Sequence, residues 1–365
     1  MRTAALLLLK FTIVAAAIVT FSPAIPAHAQ NSSPEELTIQ LTPSDYGAAQ
    51  AAKMGAHHAY PANNAAGRAL RARQLAEQRL EAHGSGGTPA GGAILQYAGD
   101  FSSGGGKIVS SAVFHAVYLQ RQAGGSCTIA TCWGDPEGFL RDLGNSDFIH
   151  VVDQYVGLTS ANRYSVGFHA FVNYTPPVGP FTDALAAIVH AVAAKTGATG
   201  YGHIYHIFLP PGQDECYDLA ANYCYSPDNP ASFAYCAYHN SVDFPDIGHV
   251  IYTIQPYQNV PGCQVQPGTP NGELVDSAND TLNHETFETI TDPDFDAWRN
   301  GWSNPYSLEL SGYEIADECQ FYLNVDGQGY GNVPTFLIGA HRYSVQLVYS
   351  NEQHACSSAP SRGRQ

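Results

Sequence analysis

Phe181 to Thr196 reads FTDALAAIVHAVAAKT, and shortly beyond it His203 to Leu209 reads HIYHIFL. The first is a helix, stopped by Gly197; the second is a strand, halted by Pro210-Pro211. Outward from this pair the alternation continues. Lys107 to Leu119 (KIVSSAVFHAVYL) is strand-like, rich in β-branched and aromatic residues. Asp135 to Tyr155 is helical, with Phe139, Leu140, Leu143 and Phe148 apolar. Val250 to Ile254 is a strand, Leu274 to Ile290 a helix closed by Asp292-Pro293, and Tyr343 to Val348 a last strand. Mixed helices and strands predict an α/β or α+β domain, a layered mixed sheet flanked by helices. No internal repeat interrupts the pattern.

The N-terminus reads as an export signal over residues 1–29. Arg2 is followed by an apolar run from Ala4 to Thr20, broken by Lys10, and Ala27-His28-Ala29 forms a small-x-small cleavage site. Lys10 leaves the run too short to span a bilayer, and no other apolar stretch approaches that length. Residues 30–92 read as a pro-segment or flexible arm. They hold one helix, Ala65 to His83, and a Gly-rich linker from Gly84 to Gly92. The globular domain is expected over 93–356, with a disordered tail over 357–365.

The formal net charge is −16, and the acid excess lies after Gly92, where 27 Asp and Glu face 9 Lys and Arg. A field of this sign repels phosphate backbones and argues against nucleic-acid binding, while suiting cations. All eight cysteines follow the signal, and an even count in an exported chain reads as disulfides. Spacing favours neighbours in order: Cys127 with Cys132, Cys216 with Cys224, Cys236 with Cys263, Cys319 with Cys356. Connectivity stays open at this point. Zinc-finger use is disfavoured because no Cys-x-x-Cys pair exists, and paired thiols leave none for catalysis.

The most informative stretch for chemistry is His284-Glu285-Thr286-Phe287-Glu288. On a helix His284 and Glu288 share a face, with Glu285 beside them. Zinc proteases arrange H-E-x-x-H this way: two ligands bracket the metal and the Glu activates water. Glu288 replaces the second His, and carboxylates do bind zinc. An oxygen-rich shell also admits calcium or manganese. Glu314, in Tyr313-Glu-Ile-Ala-Asp-Glu-Cys319, is the expected third ligand, and Asp317 one turn on is expected to orient a ligand His. An amphipathic surface helix would explain the same residues without any metal.

Other motifs carry less. Asp292-x-Asp294-x-Asp296 imitates an EF-hand opening, but Pro293 intrudes and no closing Glu follows. Gly-x-Ser-x-Gly is absent; Gly104-Gly-Gly-Lys107 fails the phosphate-loop pattern; Gly327-Gln-Gly-Tyr-Gly331 reads as a turn. His203 and His206 fall on opposite faces of their strand and make no joint site.

Several blocks resemble the phosphate-induced protein 1 (EXORDIUM-like) family of secreted proteins. They are Phe233-Ala-Tyr-Cys-Ala-Tyr-His239, Val250-Ile-Tyr-Thr-Ile254 leading to Pro256-Tyr257, and Pro261-Gly-Cys263. Asn271-Gly272, Asp276 opening the helix of His284-Glu285, Thr291-Asp-Pro293 and Trp298 complete them. The resemblance spans about Gln96 to Cys356. It implies an extracellular, periplasmic or cell-envelope location and a Cys236–Cys263 disulfide. It also brings His239 forward as a further ligand, pinned by that bridge. The family brings no defined activity, so catalysis rests on the residues themselves.

The expectation is a secreted metal-dependent hydrolase, a zinc-peptidase-like enzyme with His284, Glu288 and Glu314 as ligands and Glu285 as base. The substrate would be a peptide or a cell-envelope component. The rival is a non-catalytic envelope or signalling protein whose acidic cluster is a structural metal site or polar network.

Overall fold

The computed structural model describes residues 35–41, 53–70, 100–121, 127–157, 162–174, 182–216, 223–299, 314–322 and 333–361. The expected signal segment, most of the helix over 65–83, the linker from Gly84 and the Gly327–Gly331 turn lie outside them. Seven strands form one mixed sheet: β1 (Glu36–Gln40), β2 (Lys53–Pro61), β3 (Ala112–Arg121), β4 (Tyr164–Tyr174), β5 (His203–Phe208), β6 (Tyr235–Phe244) and β7 (Gly248–Gln255). Their spatial order is β1-β4-β3-β5-β7-β6-β2. The first five are parallel, β6 runs antiparallel to β7, and β2 antiparallel to β6.

The central strands are apolar on both faces, as a sheet covered on both sides requires. Along β3, Val117 and Leu119 join one core while Phe114, Ala116 and Tyr118 join the other. The first core takes Leu185, Ile188 and Val192 from α2 (Thr182–Thr196). The second takes Phe139, Leu140 and Leu143 from α1 (Pro136–Gly144) and Leu282, Phe287 and Ile290 from α3 (Glu273–Thr291). Ile315 and Ala316 of α4 (Ile315–Tyr322) complete it. The mixed α/β sheet domain expected from the sequence is the fold observed.

All four disulfides join cysteines in chain order: Cys127–Cys132, Cys216–Cys224, Cys236–Cys263 and Cys319–Cys356. Two of them brace the elements that matter below, since Cys236 lies on β6 and Cys319 on α4. No helix among the described residues is long and apolar enough to cross a membrane.

Three expectations are corrected. The described part of residues 30–92 is not outside the core, because β1 and β2 supply the two edges of the main sheet. Neither strand has a strong period of its own; pairing with β4 and β6 makes them. The helix expected over Asp135–Tyr155 is interrupted: it ends at Gly144, where Asn145 Nδ2 bonds Arg141 O at 2.8 Å and Ser146 Oγ bonds Leu143 O at 2.8 Å, and helical structure resumes as a 3-10 turn over Ile149–Val152 and a short helix over Asp153–Val156. Such local side-chain bonds compete with helix continuation. The tail begins later than Ser357, which closes a short strand, Ala355–Ser357, and Ala359 O accepts Gln353 Nε2 at 2.6 Å.

Candidate metal centre

Helix α3 is buried from Asp276 to Thr291, although most of those residues are polar. Its threonines explain how that is tolerated. Thr286 Oγ1 bonds Leu282 O at 2.6 Å, Thr289 Oγ1 bonds Glu285 O at 2.5 Å, and Thr291 Oγ1 bonds Phe287 O at 3.0 Å. Each hydroxyl is satisfied within the helix, so the face can pack without water. Asp276 secures the start by accepting the backbone N–H of Asn271 at 3.1 Å and its Nδ2 at 2.9 Å. At the other end Asp292 Oδ1 accepts the Ala297 N–H at 2.6 Å.

His284, Glu285 and Glu288 of α3 meet side chains of β6 and α4. A row of residues in register, His206, Thr253 and His239, crosses β5, β7 and β6. His239 Nδ1 lies 3.2 Å from Glu285 Oε2 and 3.8 Å from Glu288 Oε2, and its Nε2 lies 3.6 Å from Glu314 Oε1. His284 Nε2 lies 3.1 Å from Glu288 Oε2 and 3.7 Å from Asp317 Oδ1. Glu288 Oε1 accepts the backbone N–H of Asp317 at 3.0 Å. All six side chains that sequence reasoning singled out are therefore in one cluster, and none is more than 1% exposed.

Their grouping differs from the expected ligand set. Donor atoms that could close on one cation fall into two groups, His239 with Glu288 and Glu314, and His284 with Glu288 and Asp317, each within 4.8 Å. Glu288 belongs to both. Asp317 faces the Nε2 of His284, whereas Nδ1 is held by Gln346 Oε1 at 3.3 Å.

Gln346 decides the state of that imidazole. Its Nε2 donates to Ala316 O at 3.0 Å, and a carbonyl only accepts, so Oε1 is the atom turned to His284. His284 Nδ1 must then donate to it. In the neutral ring Nε2 is left as a bare lone pair aimed at two carboxylates, the form in which histidine ligates a metal. Gln346 is itself positioned by its backbone N–H to Asp280 Oδ1 at 2.7 Å. Tyr60, from β2, sets its ring against His284 with centroids 4.3 Å apart and donates to Asp280 Oδ2 at 3.3 Å.

The electrostatics are those of a site short of positive charge. Among the described residues, none gives a hydrogen bond to either oxygen of Glu314 or to Oε1 of Glu285. A buried polar group left so costs about 1–3 kcal/mol, and more when charged. Burial, then the charges of Glu288 and Asp317, push Glu285 well above the usual carboxylate range against the pull of His284. Glu314 rises likewise, through burial first and then Glu288, Asp292, Asp317 and Glu285. Asp292 is raised by burial to about 7 and Asp280 to about 6. A bound cation inverts this balance.

Geometry also fits a small cation. Ligand atoms about 2.0–2.2 Å from a tetrahedral zinc stand roughly 3.3–3.6 Å from one another. The His284–Glu288, His284–Asp317 and His239–Glu314 separations of 3.1, 3.7 and 3.6 Å bracket that span.

The Asp292-x-Asp294-x-Asp296 motif does not converge. Asp292 faces Arg299 Nε at 3.7 Å, Asp294 takes His249 Nε2 at 3.2 Å and the Tyr201 hydroxyl, and Asp296 packs against Gly106. His203 and His206 do separate to opposite faces, toward His115 at 3.0 Å and Thr253 at 2.9 Å.

The chain matches no family model, no curated protein and no solved structure. Gln346, Asp280 and Tyr60 were not legible beforehand: Gln346 and Tyr60 lie far in sequence from the helix they serve, and Asp280, on α3 itself, belongs to no ligand motif.

Proposed function

We propose that this protein is an exported metalloprotein with hydrolase chemistry of the zinc-peptidase type, acting on a peptide or cell-envelope substrate. One observation carries it. Gln346 fixes the His284 tautomer so that a ring lone pair meets Glu288 and Asp317, acceptor against acceptor, which only a cation or a proton reconciles. Imidazole with carboxylate suits zinc or manganese better than calcium, which prefers six to eight oxygens. Export is supported by the leader-like N-terminus and the four disulfides.

When bound, a divalent cation supplies Lewis acidity, polarising a carbonyl and lowering the pKa of water. The chain's own contribution to hydrolysis is Glu285. Its Oε2 lies 3.2 Å from His239 Nδ1, and its Oε1 accepts no hydrogen bond from the described residues, leaving an oxygen to take the proton of an attacking water. Glu285→Gln should keep the metal and abolish cleavage of a fluorogenic peptide pool; an undiminished rate sinks this mechanism.

Complete burial of the six side chains favours a second reading, a structural metal core in a non-catalytic envelope protein of the EXORDIUM-like kind. There the metal raises stability, Glu285→Gln alters stability alone, and no substrate turns over.

A further inference from the structure

We infer that the centre holds two divalent cations bridged by the carboxylate of Glu288, one between His284 and Asp317, the other between His239 and Glu314. The inference rests on the metalloprotein reading above and concerns how many ions that centre takes.

Three observations lead to it. First, the candidate ligands divide into two sets instead of one, and Glu288 is the residue common to both. Its Oε2 sits 3.1 Å from His284 Nε2 and 3.8 Å from His239 Nδ1, between the imidazoles. A carboxylate spanning two metals about 3.5–4 Å apart is the usual bridge of paired-metal hydrolytic sites. Second, each set has its own acid, with Asp317 3.7 Å from His284 and Glu314 3.6 Å from His239. Glu314 is completely buried, and no described residue gives a hydrogen bond to either of its oxygens. A single ion held by His284, Glu288 and Asp317 would leave that carboxylate outside its ligand set, facing His239 Nε2 at 3.6 Å.

Third, charge counting favours two. Glu285, Glu288, Glu314 and Asp317 are four buried carboxylates, and the Arg299 guanidinium faces a fifth, Asp292, at 3.7 Å. Two divalent ions balance four ionised carboxylates; with one ion, two of the four must carry protons instead. Each histidine also has a partner on its other ring nitrogen, His284 Nδ1 facing Gln346 Oε1 at 3.3 Å and His239 Nδ1 facing Glu285 Oε2 at 3.2 Å. Independent support of two imidazoles is what two metal positions need.

The test is metal stoichiometry on the full exported chain, stripped and titrated with Mn²⁺, together with electron paramagnetic resonance of the loaded protein. Two equivalents bound, with a spin-coupled manganese pair, is the expected result. Glu314→Gln and Asp317→Asn should each leave about one equivalent and abolish the coupling. One equivalent in the wild type, with an uncoupled signal, overturns the paired site and leaves the mononuclear metalloprotein standing. No binding overturns both readings. The wild-type titration and spectrum decide the matter even where a variant fails to fold.

Discussion

Glu288 Oε1 accepts the backbone N–H of Asp317 at 3.0 Å, tying helix α3 to the first turn of α4 across 29 residues of sequence. That N–H belongs to the open end of a helix, where a carboxylate is favoured in its charged form. The bond therefore holds one oxygen of Glu288 still and turns the other toward both histidines.

Removing a charge from this cluster should stabilise the metal-free protein. At Glu314 the side chain is buried, no described residue donates a hydrogen bond to it, and burial with the neighbouring carboxylates disfavours its charged form. Glu314→Gln removes that charge. We expect a rise of about 2–5 °C in the Tm of chelator-treated protein, and loss of most metal-induced stabilisation, read by calorimetry with and without Zn²⁺.

Metal removal from the wild type should act in the opposite sense. Ligand at about a hundred times its Kd adds roughly 2.7 kcal/mol to stability, so dialysis against chelator should lower Tm and Zn²⁺ should restore it. Equal melting curves in the two conditions would remove the case for any cation.

A pH effect separate from the centre is expected at Glu215. Burial raises its pKa from 4.5 to about 8, against a hydrogen bond from Tyr238. Tyr235 also donates to it. Below pH 4.5 folded and unfolded states are both protonated; between 4.5 and about 8 only the unfolded state loses its proton. Stability attributable to this group thus falls as pH rises through that window and levels off above it. Glu215→Gln should flatten the decline between pH 6.5 and 8 in urea melts.

The Cys319–Cys356 bridge should matter to the metal as well as to the fold. It closes a span of 37 residues, for which the chain-entropy estimate is about 4 kcal/mol, and it anchors the helix bearing Asp317. The double Cys→Ala variant should lose stability of that order and bind Zn²⁺ at least tenfold more weakly by calorimetric titration.

Truncation at residue 92 should fail to give a native domain. It removes both edge strands and with them Tyr60, whose ring covers His284. Far- and near-ultraviolet circular dichroism of the shortened chain would show the loss; a native spectrum with intact metal binding would contradict it.

Local pattern was enough for much of this protein. Helices α2 and α3 and strands β3, β5 and β7 follow from propensity and from Gly and Pro punctuation, because those signals act between near neighbours along the chain. The H-E-x-x-E spacing placed His284 and Glu288 together because one helical turn brings them together whatever surrounds it. Tertiary structure alone decided the rest. Strands β1 and β2 exist through pairing with distant partners. His239 reaches Glu285 because β6 lies under α3. Gln346 selects the tautomer of His284 from 62 residues away. Those relations depend on which elements pack together and in what register, and an isolated stretch of sequence has no term for a neighbour it has not yet met.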